Sequence, residues 1–82
     1  MSETIAEILS AGRVDAGLSA RDLWFSYCGL GGQATPRALD RFLTGTAIPS
    51  AHQYDILAQA INEALVDLDM DTPLPYAEDL VR

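Results

Sequence analysis

Apolar residues recur along this chain at helical spacing. No segment alternates apolar and polar residues with a period of two, so strands are not expected. Ser2 or Thr4 can cap a first helix, Thr4 and Glu7 having the spacing of a capping box, and Ile5, Ile8 and Leu9 then share one helical face. Gly12 and Gly17 are both placed to end this first helix. Ser19 precedes a second helix, with Asp22 in its first turn, where a carboxylate favours the positive helix end. At 100° per residue, Leu23, Tyr27 and Leu30 align, flanked by Ala20 and Trp24. Phe25 points roughly opposite, beside Arg21. Thr35-Pro36 starts a third helix, with Leu39, Phe42 and Leu43 on its inner face and Gly45 at its end. Ser50 and Gln53 form another capping box and open the longest helix, about 51 to 68. Tyr54, Leu57, Ala58, Ile61, Leu65 and Leu68 make its stripe. Pro73 and Pro75 then break the helix and begin a tail. Leu74 and Tyr76 in that tail fit either a strap across the bundle or a short linear motif.

Length and charge narrow the picture. Eighty-two residues make one domain with a small core. No apolar run approaches the ~18 residues of a membrane span. The acidic N-terminus, MSETIAE, does not resemble a secretion signal. The single cysteine, Cys28, fits a reducing compartment and is expected to be a buried thiol, so the expected location is cytoplasmic. The formal charge of −7 is unevenly spread. Arg13, Arg21, Arg37 and Arg41 outnumber Asp15, Asp22 and Asp40 by one in the middle, whereas residues 42–82 hold seven acids and only Arg82. The chain has no lysine, so its positive charge sits on guanidinium, the group suited to bidentate contacts with carboxylate or phosphate.

The stretch GLGG, residues 29–32, raises the question of a phosphate-binding loop. Such a loop follows a strand and precedes a helix N-terminus. Here the glycines follow a helix, without a G-x-G-x-x-G register or a lysine-serine pair. They read instead as a helix C-cap leading to the Thr35 cap.

Residues 17 to 49, with Gly17-Leu18-Ser19, Asp22-Leu23, a turn, a short third helix, Gly45 and Pro49-Ser50, and then Leu57-Ala58, resemble the lambda-repressor/Cro-type (XRE-like) helix-turn-helix domain. The similarity covers about residues 13 to 65. It implies a compact bundle of four or five helices, with Thr35 to Leu43 in the place of the recognition helix. The turn is about two residues longer than that pattern, and Trp24 stands where the family has a small alanine. The chain also looks like small helical proteins of actinobacteria without an assigned activity.

Several residue groups are candidate sites. Arg37 and Arg41, with Gln33 and Thr35, could meet phosphate or base edges, or the arginines could pair with Asp40 and other acids. Phe25, Ile56 and Val66 lie off the apolar stripes and suggest a second contact surface, a dimer seam or a partner groove. Asp67, Asp69, Asp71 and Glu78 fall at positions 1, 3, 5 and 12 of a calcium loop, but position 6 is Thr72 where that loop wants glycine. His52 is alone, which disfavours zinc, and nothing orients it toward Cys28 for catalysis.

The sequence thus predicts an all-α bundle of four or five short helices, helix-turn-helix-like, over residues 1–70, with an extended acidic tail over 71–82. The expected function is a small non-enzymatic regulatory module that binds a protein partner or self-associates through Arg21, Phe25, Arg37 and Arg41. No cofactor and no small-molecule substrate are expected. The alternative is a sequence-specific DNA-binding transcriptional regulator that reads DNA with residues 35–43. Calcium binding at 67–78 is a third reading.

Overall fold

The computed structural model describes residues 4–71 and 73–80. The chain is all-helical: α1 (Ile5–Asp15), α2 (Ala20–Gly29), α3 (Pro36–Thr44), α4 (Ala51–Asp67) and the short α5 (Ala77–Leu80). Each of the first four begins at a cap read from the sequence, α1 at Thr4; Ser2, the other cap read for it, lies outside the described residues. The hydroxyls of Thr4, Ser19, Thr35 and Ser50 accept backbone N–H groups three residues on. At Thr4, Ser19 and Ser50 the side chain at the third helical position reaches back to the cap N–H, completing a capping box. Glu7 is one of these, and the Thr4 backbone and hydroxyl hold its carboxyl below the usual range. A cap of this kind contributes about 1 kcal/mol, which matters in helices of nine to eleven residues.

Gly17 ends α1 in the left-handed conformation, φ 71°. Its N–H donates to the Val14 carbonyl and that of Leu18 to the Arg13 carbonyl. Gly12 does another job. It is buried inside α1, where a Cβ would come within 2.8 Å of Leu74 and 3.2 Å of Ile61. Its bare backbone makes the notch into which the tail packs.

α4 is the central helix. α1, α2 and α5 pack on it, and α3 lies against α1 and α2. Leu9, Leu23, Tyr27, Leu39, Leu57 and Ile61 form the middle of the core, each at most 1% exposed. With neighbours on several sides, α4 buries more than one stripe. Ile56, expected on a second apolar surface with Val66, is only 9% exposed and belongs to the core, as does Ala60. On that side Ile56 shares a recess with Tyr27 of α2 and with Gly31, Gly32 and Gln33 of the turn that follows it. Val66, 71% exposed, does stand out from the surface. Cys28 is half-buried against the core rather than fully enclosed.

The tail forms a strap. Asn62 on α4 clasps the Leu74 backbone from both sides: its Oδ1 accepts the Leu74 N–H at 2.7 Å, and its Nδ2 donates to the Leu74 carbonyl at 3.1 Å. The Tyr54 hydroxyl donates to the Pro75 carbonyl at 2.8 Å, and the Ala77 N–H donates to the Asp55 carboxylate at 2.7 Å. Leu74, Ala77 and Leu80 pack against the core. Three side chains of α4 thus satisfy backbone groups that an irregular segment would otherwise leave unpaired.

This strap has a pH signature. Burial, with the neighbouring Asp55 carboxylate, pushes the Tyr54 hydroxyl up to about 12 from its ordinary 10.0. The folded chain therefore holds this proton more tightly than the unfolded chain. The associated stability is complete below pH 10 and is lost as pH rises toward 12. We expect urea midpoints measured from pH 9 to 12 to fall across that window, and to fall less in Tyr54→Phe. An equal fall in the variant would place the alkaline sensitivity elsewhere.

Candidate interaction cleft

The turn between α2 and α3 decides what the surface presents. α2 ends at Gly29, and Gly31 adopts φ 98°. The Gly31 N–H donates to the Cys28 carbonyl at 3.0 Å and the Gly32 N–H to the Tyr27 carbonyl at 2.9 Å. This is the paired pattern of a glycine-terminated helix, as the GLGG motif suggested. Gly32 then lies so close to the Tyr27 ring that a Cβ there would overlap it.

Two aromatic side chains of α2 next fasten the loop. The Tyr27 hydroxyl accepts the Ala34 N–H at 3.0 Å, and the Trp24 indole N–H donates to the Ala34 carbonyl at 2.9 Å. Both edges of one loop residue are held by the polar tips of rings whose bodies pack on the core. The sequence pattern puts Tyr27 on the core stripe and Trp24 on its flank, and does not reveal this clamp. The available signal was that both rings carry a polar tip and sit within ten residues of a glycine-rich turn.

The clamp sets α3 beside α2 and leaves a cleft of about 450 Å³ between them. Ala20, Arg21, Trp24 and Phe25 line it from α2, and Pro36 and Asp40 from the start of α3. Phe25 is 54% exposed. Its ring meets Trp24 edge-on at 5.3 Å between centroids and 61° between planes. The Arg21 guanidinium lies 5.4 Å from the Phe25 centroid on a cation–π contact. A large apolar ring is thereby held in place in the solvent by an aromatic edge and a cation. The lining supplies apolar area, one guanidinium and one carboxylate.

The sequence candidates fall in several places. Arg21 and Phe25 meet in the cleft. Arg37 and Arg41 are exposed on α3, whose first turns border it. The Thr35 hydroxyl is taken up as the α3 cap. Gln33 is exposed and lines a separate recess with His52, Ser50 and Gly32. Val66 lies on the far end of α4, in a groove with Tyr76. Asp67, Asp69, Asp71 and Glu78 are exposed and do not converge: among the described residues no group of three or more His, Cys, Asp or Glu side chains is placed to hold a metal ion. Thr72, the sixth position of the calcium-loop reading, lies outside the described residues. Among the described residues no helix is long and apolar enough to cross a membrane.

No family model matches this chain, and no curated protein and no solved structure matches it either. The helix-turn-helix resemblance therefore rests on the residues of the chain itself.

Proposed function

We propose that this protein is a small non-enzymatic interaction module, regulatory in role, that engages a protein partner through the α2–α3 cleft. The observation that carries this reading is Phe25. A half-exposed phenylalanine fixed between Trp24 and Arg21 costs solvent exposure of apolar area and contributes little to the core. Such a ring is well suited to anchor a contact, since aromatic residues and arginine dominate interface energetics. The fitting partner segment carries an apolar side chain for the cleft and carboxylates for Arg21, Arg37 and Arg41.

One observation favours a second reading, DNA binding. Arg37 and Arg41 are exposed one helical turn apart on α3, where a recognition helix would lie. The two readings part in an amide NMR titration with mixed-sequence duplex DNA at low salt. The module reading predicts an unchanged spectrum, as expected for a chain of net charge −7. Dose-dependent shifts centred on residues 35–43 and reversed by added salt would establish the DNA reading in its place.

A further inference from the structure

The strap is a recognition event within one chain. Residues 74–77 are held by Asn62, Tyr54 and Asp55 of α4, and Leu74 fits over Gly12 of α1. Every one of these contacts joins the tail to α1 or α4. None depends on the covalent link that brings the tail back, so an identical tail from another copy satisfies all of them.

That link runs through a turn with a non-glycine residue in the left-handed conformation. Asp69 follows the α4 cap in the left-handed conformation, φ 61°, with its N–H on the Val66 carbonyl and the Met70 N–H on the Leu65 carbonyl. The turns that close α1, α2 and α3 place Gly17, Gly31 and Gly45 at positive φ. Asp69 is the one non-glycine residue at positive φ among the described residues; aspartate enters this region more readily than most side chains but less readily than glycine. Carboxylates at a helix C-terminus also oppose the helix dipole, and Asp67, Asp69 and Asp71 crowd this end. Around the same turn Val66, Leu68 and Met70 are exposed, at 71%, 54% and 38%.

We propose that the segment 73–80 exchanges between two copies of this chain, each tail seating in the α1–α4 groove of the other, with Asp69 as the hinge. The occupant is a second copy because it alone supplies the same leucine, the same backbone pattern and the same linker. Exchange of an identical element is a low-cost route to a dimer. The exposed Val66, Leu68 and Met70 then become the new contact between the two hinges.

The test uses the full chain at millimolar concentration and moderate salt, which screens the repulsion between acidic copies. Light scattering after chromatography reads the dimer. In an equal mixture of isotope-labelled and unlabelled protein, filtered NOE spectra read whether the Leu74 methyls of one copy contact Gly12 and Ile61 of the other. We expect a dimer with such intermolecular contacts. Asp69→Val, which tolerates the left-handed turn poorly, raises the dimer fraction by about fivefold or more, and Asp69→Gly lowers it comparably. Monomers throughout, Asp69→Val included, overturn the proposal. So does a dimer whose Leu74 contacts stay within one chain.

Discussion

Gly32→Ala is expected to destabilise the protein by about 3 kcal/mol, the upper range for forcing atoms into a packed site. For a domain of this size that lowers Tm by roughly 12–24 °C. The added methyl overlaps the Tyr27 ring. The ring has little freedom to retreat, being 1% exposed with its hydroxyl bound to the Ala34 N–H. Either the ring leaves the core or the loop lifts off, and both release the Ala34 clamp that sets the cleft. Gly29→Ala is the control, because nothing lies within 4 Å of a Cβ at that glycine. It should leave Tm within a few degrees. Thermal unfolding by circular dichroism checks both. Repeating Gly32→Ala in a Tyr27→Leu background should shrink its cost sharply, since the overlapping ring is gone. An equal cost in both backgrounds would mean that the loop conformation, and not the ring, requires glycine.

Asn62→Ala is expected to cost about 2 kcal/mol, from two backbone hydrogen bonds of about 1 kcal/mol each. The larger effect should be local. Without the clasp on Leu74 the strap loosens, so the Ala77 amide, now held by Asp55, should exchange with solvent much faster. Water then reaches the Tyr54 hydroxyl, and its titration should move from about 12 back toward 10. Urea unfolding, hydrogen exchange and ultraviolet titration of tyrosinate read the three consequences. A destabilised variant with unchanged Ala77 exchange would show that the tail is held without the Asn62 clasp, by Tyr54, Asp55 and Leu74 packing.

The helices were legible because their start signals are local. Thr4, Ser19, Thr35 and Ser50 each need only a residue three positions on, and all four cap as read. The C-terminal glycine after α2 was legible for the same reason. What depends on neighbours distant in sequence was not. Ile56 lies off the α4 stripe, yet is buried in the core on the side of α4 that meets Tyr27 and the turn after α2. Nothing local marks Asn62, whose partner is the tail backbone twelve residues later. Gly12 read as a possible helix end, whereas its role is to admit Leu74 and Ile61 at close range. At the cleft, the Arg21–Phe25 pair was visible as i, i+4 neighbours on an outer face. The part played by Trp24, Pro36 and Asp40 was not, because it follows from the angle at which the clamped loop delivers α3.

The account rests on the cleft around Phe25 as the contact surface. The most direct measurement is photo-crosslinking in the native cell, with benzoyl-phenylalanine at position 25, which keeps the ring, and at exposed position 59 on α4 as the control. The prediction is one discrete protein adduct from position 25 that position 59 does not yield and that Arg21→Glu with Arg41→Glu abolishes. No protein adduct from position 25, or the same adduct from position 59, would contradict it.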